Sequence, residues 1–155
     1  MASTEFLPFI HDEQELIELS KNPIDGCTIE LINDDILNWR VTIEGPKSTP
    51  YANGLFNLSI TFTDQYPFKP PVIKFMTIIH HPNVKKSTGE ICGAIISDNW
   101  GPTLNVKHCI TVMKSILQAP DTDNPFDEEI AAQMRDRPKE FEKAAIKCTK
   151  ENALY

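Results

Sequence analysis

The chain is 155 residues long with 41% hydrophobic and 24% charged residues, a balance that fits one domain, residues 1–155, with one buried core. Its 15 Lys plus Arg against 22 Asp plus Glu leave a formal charge of −7, which argues against nucleic acid as the main partner, because phosphate neutralisation needs a basic face. The cysteines, Cys27, Cys92, Cys109 and Cys148, form no C-x-x-C pair, and the longest apolar stretch, Val72 to Ile79, is interrupted by Lys74 and Thr77; a zinc cage, a dense disulfide framework, a signal peptide and a membrane span are therefore all unexpected.

In chain order, the apolar pairs Phe9/Ile10 and Leu16/Ile17 lie seven residues apart and share one helical face, so the spacing predicts a first helix from Phe9 to Leu19, closed by Asn22-Pro23. Trp39, Val41 and Ile43 alternate with polar neighbours, as do Phe56, Leu58, Ile60 and Phe62, and both runs read as strands with one buried face. Asn53-Gly54 marks a turn between them, Thr28 to Leu31 reads as an earlier strand and Ile73 to Phe75 as a later one. Tyr66-Pro67-Phe68-Lys69-Pro70-Pro71 carries three prolines, which exclude both helix and central strand and predict a stiff, exposed connector. From Phe75 to Leu104 neither a period of 2 nor one of 3.6 appears, and so irregular a stretch inside a compact domain is usually functional.

Helical order returns with Val106, Cys109, Ile110, Met113, Ile116 and Leu117 on one face, with Asn105 as cap and Pro120 as stop. Glu128 to Met134 predicts a short helix, and a last one opens at Pro138 with Phe141, Ala144, Ala145 and Cys148 at helical spacing. The expected architecture is α+β: an N-terminal helix, a four-stranded antiparallel meander and three C-terminal helices packed on and beside the sheet.

Conventional catalytic patterns are missing. His80-His81 has no H-E-x-x-H or carboxylate spacing, so no metal is expected. The glycines form no phosphate cradle, and Ser87 and Ser97 lack a G-x-S-x-G setting. Cys109 and Cys148 fall on apolar helical faces and Cys27 at the edge of a strand, whereas Cys92 follows Gly89-Glu90-Ile91 inside the irregular stretch. Taken alone, Cys92 also reads as a small buried hydrophobe; by elimination it is the candidate thiol. A reducing cytosolic or nuclear compartment is the default for such cysteine usage.

Tyr66-Pro67-Phe68-Lys69-Pro70-Pro71, His81-Pro82-Asn83, Gly89-Glu90-Ile91-Cys92 and Trp100-Gly101-Pro102 stand in the order found in ubiquitin-conjugating enzymes, and nearly the whole chain resembles that family. The resemblance implies that Cys92 accepts the C-terminal carbonyl of ubiquitin or a ubiquitin-like protein from an activating enzyme, holds it as a thioester and passes it on. It assigns Asn83 either to the oxyanion of the tetrahedral intermediate or to holding the adjacent loop, and His81 and Pro82 to shaping the turn that aims Asn83. It implies no cofactor, ATP being used by the activating enzyme, and it marks Phe68 and Pro102 as ligase-docking positions. An inert ubiquitin-binding relative of the same fold is the alternative, but such variants lack the cysteine.

Four departures from the family pattern stand out. The step from Asn83 to Cys92 is nine residues (92 − 83), one more than usual. Ala94 and Asn124 stand where many members carry acidic residues, which leads to an expectation of transfer to cysteine acceptors over free lysine, because a lysine ammonium needs help to lose its proton. The first helix carries His11, Asp12, Glu13, Glu15 and Glu18 where members usually present Lys or Arg to the activating enzyme and ligase.

Overall fold

In a computed structural model, which describes residues 3–98, 100–123 and 125–153 and side chains from residue 12 onward, the chain runs α1 (Ser3–Lys21), β1 (Cys27–Ile32), β2 (Asp35–Glu44), β3 (Leu55–Thr61), β4 (Val72–Phe75), α2 (Gly93–Ser97), α3 (Val106–Gln118), α4 (Glu128–Asp136) and α5 (Pro138–Asn152). The strands pair antiparallel in the order β1-β2-β3-β4. This is the α+β meander that the sequence pattern predicts.

Alternation explains the sheet. Trp39, Val41 and Ile43 of β2 stand opposite Ile60, Leu58 and Phe56 of β3, and all six are buried on one face, where cross-strand pairs of this kind stabilise a sheet. The same core includes Val106, Cys109, Ile110, Met113, Ile116 and Leu117 of α3. Burying a side chain of this size contributes about 1.5–3 kcal/mol. Asn105 caps α3 as expected, its side chain accepting the His108 N–H at 3.1 Å.

Three elements differ from expectation. α1 begins at Ser3 and runs through Pro8, where the sequence reading stops because a proline removes a helical hydrogen bond. The proline-rich connector is exposed only at its tip, since Tyr66 and Pro71 are buried while Phe68 is 76% exposed. α2 has no counterpart in the sequence pattern, because five residues are too few to show a helical period. Among the described residues no helix is long and apolar enough to cross a membrane.

Candidate active site

The segment before Cys92 is built on the edge of the sheet. Lys74 of β4 pairs antiparallel with Glu90, and Val84 with Ile91. Phe75 N–H donates to Gly89 O at 2.8 Å, Lys85 N–H to Glu90 O at 2.8 Å, and Cys92 N–H to Asn83 O at 3.0 Å. Residues 83–85 and 90–92 thus form a two-stranded ribbon laid beside β4, and the turn of 86–89 takes up the extra residue between Asn83 and Cys92. Gly89 is required there. Its φ is +78° and a Cβ would lie 1.9 Å from Phe75 O, so no side chain fits between the ribbon and β4.

Cys92 ends the ribbon as the residue capping α2 and is half-buried. Around the neighbouring Gly93 a Cβ would meet nothing within 4 Å, so the approach to position 92 is open on that side. A cleft of about 560 Å³ beside it is floored by Ile73, Ile91 and Ile96 and rimmed by Lys69, Lys74 and Glu90. The remaining thiols are in other surroundings. Cys109 and Cys148 are buried, and burial pushes the Cys109 thiol up to about 12 and that of Cys27 up to about 11.

His81, Pro82 and Asn83 act as a clamp. His81 is fully buried; its Nδ1 accepts the Asn83 N–H at 3.0 Å and its Nε2 lies 2.7 Å from Ile116 O, which assigns the Nε2–H tautomer. Burial lowers its pKa to about 4, so it is a neutral strut between the ribbon and α3. Pro82 O accepts the N–H groups of Phe126 and Asp127 at 2.8 and 3.0 Å. Asn83, also fully buried, donates from Nδ2 to Asp121 O at 2.6 Å and accepts the Asp121 N–H on Oδ1 at 2.9 Å. Of the two roles left open for Asn83, this geometry serves the holding of the loop between α3 and α4.

His80, next to the clamp, sits between Lys86 Nζ, 3.0 Å from its Nδ1, and Gln133 Oε1, 2.8 Å from its Nε2. Lys86 is thereby turned back toward α4. Ala94 lies in the first turn of α2, and Asp98 caps the opposite end of that helix from Cys92. Asn124 lies outside the described residues, as does the side chain of His11. Asp123 is exposed, its N–H donating to Asp121 Oδ1 at 2.9 Å.

Phe68 and Pro102 are both exposed, and the segments that carry them are tied together. Trp100 Nε1–H donates to Pro67 O at 2.8 Å, and the Trp100 ring stands 6.0 Å from that of Tyr66. Tyr66 O–H donates to Glu15, whose other oxygen accepts the Val106 N–H at 2.7 Å. The sequence reading missed this role for Glu15, and it corrects the picture of an acidic α1 surface. Asp12 is buried and Glu15 is engaged inward, so from residue 12 onward Glu13 and Glu18 are the acids of α1 left to solvent. Asp12 has no hydrogen-bond partner among the described residues. Burial, reinforced by the Glu15 charge, pushes its carboxyl up to about 7. Among the described residues no group of three or more His, Cys, Asp and Glu is placed to hold a metal ion.

Helix, four-stranded meander, ribbon-borne cysteine and His-Pro-Asn clamp together define a class. The sequence profile of the family described as "Ubiquitin-conjugating enzyme" matches residues 11–149, and the chain belongs to the ubiquitin-conjugating enzyme family. It is 38% identical over 141 residues to "Ubiquitin conjugating enzyme E2 B" of Dictyostelium discoideum, covering 91% of this chain and 95% of that one. Its structure is similar to the crystal structure of a Plasmodium yoelii protein assigned as a ubiquitin conjugating enzyme, with TM-score 0.89, 31% identity and coverage of 96% and 97%. It is also similar to the E2 domain of a Toxoplasma gondii ubiquitin conjugating enzyme, with TM-score 0.84, 33% identity and coverage of 92% and 96%.

Proposed function

We propose that the protein carries ubiquitin or a ubiquitin-like modifier as a thioester on Cys92 and passes it to an acceptor. The Cys92 thiolate attacks the thioester presented by the activating enzyme; the carbon–sulfur bond there breaks as the new one forms, and the activating enzyme's sulfur leaves as thiolate. The exchange is close to thermoneutral and needs no imidazole base, which is consistent with His81 being a buried strut. The observation that carries this reading is the placement of Cys92: half-exposed at the mouth of the cleft, on a ribbon held by the His81-Pro82-Asn83 clamp.

ATP is consumed by the activating enzyme, and the exchange on Cys92 requires no cofactor of its own. Phe68 and Pro102, exposed on stapled segments, are the anchor positions for a ligase. With Ala94 two residues after the thiol, in the first turn of α2, in place of a carboxylate, delivery to a ligase cysteine is favoured over delivery to free lysine, since a thiol acceptor needs less help with its proton. A reducing cytosolic or nuclear compartment keeps the thiol available.

The test is to incubate the protein with activating enzyme, ATP and ubiquitin and to resolve the products without reductant. The reading requires an adduct lost on thiol treatment and not formed by Cys92→Ala. An adduct that forms equally in Cys92→Ala contradicts it.

A further inference from the structure

We propose that Asp12, Glu15 and Tyr66 form a proton-dependent latch: with Asp12 protonated, α1 holds the segments that carry Phe68 and Pro102, and loss of that proton loosens α1 from them. Only the bearing of the latch on ligase docking rests on the reading of Phe68 and Pro102 as anchors; the latch itself requires nothing of Cys92.

Three elements meet at Glu15. One of its carboxylate oxygens accepts the O–H of Tyr66 from the proline-rich connector, and the other accepts the Val106 N–H, at the start of α3, at 2.7 Å. A carboxylate is well placed there, since the first N–H groups of a helix lack partners within it. The Tyr66 ring stands 6.0 Å from that of Trp100, whose Nε1–H donates to Pro67 O at 2.8 Å. One chain of contacts thus runs from α1 through Tyr66 to both docking segments.

Asp12 lies three residues before Glu15, on the same side of α1. It is fully buried, and neither of its oxygens has a hydrogen-bond partner among the described residues. A charge in such a place is costly unless it is paired. The titratable groups gathered around it are Glu15 on α1 itself, Tyr66 of the connector, and Cys109 of α3, which faces Tyr66. β2, on which α1 also packs, turns Trp39, Val41 and Ile43 toward the core. Burial raises the pKa of both Tyr66 and Cys109, so near neutrality they carry no charge. Burial and the like charge of Glu15 then keep Asp12 protonated up to about 7.

Loss of that proton puts a second negative charge into the pocket, and water reaches it only if α1 moves off. Because Glu15 is one turn further along the same helix, the movement withdraws the acceptor from Tyr66 and Val106 and frees the connector. Linkage sets the pH window. With the Asp12 carboxyl at its ordinary 3.8 when released and at about 7 when latched, release becomes up to about tenfold easier per pH unit between those values and levels off above them.

The test is NMR and amide exchange on the full chain between pH 5 and pH 8.5. The Asp12 carboxyl carbon is expected to titrate near 7. Corrected for intrinsic exchange, protection of the Val106 amide is expected to fall about tenfold from pH 6 to pH 8. It stays below that of Met113 in the middle of α3, and the Phe68 and Gly101 amide signals shift with it. Asp12→Asn and Asp12→Leu each abolish the pH dependence. The double variant H11Q/H108Q keeps it, which separates Asp12 from the histidine next to it in sequence and from the one whose ring stands 6.3 Å from that of Trp100. An Asp12 carboxyl that titrates in the ordinary range, a pH dependence that survives both Asp12 variants, or one lost in H11Q/H108Q overturns the proposal. So does equal protection of Val106 and Met113, which would mean that Asp12 weakens the whole fold and opens no latch, and so do Phe68 and Gly101 signals that stay still while Val106 responds. None of these outcomes touches the thioester reading, which stands or falls on the Cys92 adduct.

Discussion

Asn83→Ala separates a loop-holding asparagine from one that acts on the reacting carbonyl. The change removes a fully buried amide that donates to Asp121 O and accepts from Asp121 N–H. A neutral hydrogen bond is worth about 1 kcal/mol net, and a buried group left without its partner costs about 1–3 kcal/mol. Asp121 is half-buried, so water replaces part of what is lost, and the expected destabilisation is about 2–4 kcal/mol. For a chain of this size that lowers the melting temperature by roughly 5–15 °C. Thermal unfolding gives the total, and amide exchange at Asp121 and Asp123 gives the local part, because Asp123 N–H is itself held by Asp121. Asn83→Asp adds an internal control. Its ionised carboxylate accepts from Asp121 N–H but has no hydrogen for Asp121 O, so its deficit shrinks as the pH falls and the new acid protonates. Loss of transfer with unchanged melting and unchanged exchange would refute this account of Asn83.

Gly89→Ala combines an unfavourable left-handed conformation, about 1–2 kcal/mol, with a Cβ 1.9 Å from Phe75 O; a loss of about 3 kcal/mol or more in urea unfolding is expected, while Gly93→Ala, which meets open space, stays within about 0.5 kcal/mol. Asp12→Asn is expected to stabilise the protein at neutral pH. A buried acid whose pKa rises from 3.8 to about 7 takes up its proton on folding between those values. It therefore costs nothing below pH 4 and its full penalty above pH 7. The variant's gain, at most about 4 kcal/mol for the whole rise at about 1.4 kcal/mol per pH unit, is present at pH 8 and gone at pH 4, which denaturation at the two pH values checks. Ala94→Asp is expected to speed discharge to free lysine by an order of magnitude or more with little effect on discharge to a cysteine acceptor, measured as thioester decay with each nucleophile.

The most legible elements are those whose evidence is local. The face of α3 from Val106 to Leu117, its Asn105 cap and the alternation of Trp39-Val41-Ile43 against Phe56-Leu58-Ile60 follow from periodicity alone, because one buried face writes itself into neighbouring residues. Cys92 and the His81-Pro82-Asn83 run are legible as motifs. Their support is not, since the partners of the ribbon and of Asn83 lie far along the chain: Lys74 faces Glu90, and Asn83 reaches Asp121. α2 is too short for a period to appear. Asp12 and Glu15 look like a solvated acidic stripe in sequence, and only the packing of α1 against Tyr66 and Val106 turns Glu15 inward. The turn of 86–89 falls inside the stretch that reads as irregular in sequence, and the reason no residue other than glycine fits at position 89 is the carbonyl of Phe75 on a different strand.

The central claim is that the Cys92 sulfur carries the modifier. Cys92→Lys exchanges that sulfur for an amine, which converts a transient ester into a permanent amide at the same position. After incubation with activating enzyme, ATP and ubiquitin, peptide mapping is predicted to find the modifier on residue 92 in a bond that resists thiol treatment, while the unsubstituted protein yields an adduct of the same mass that thiol removes. A modifier found elsewhere on the chain in both forms, with residue 92 bare, would contradict it.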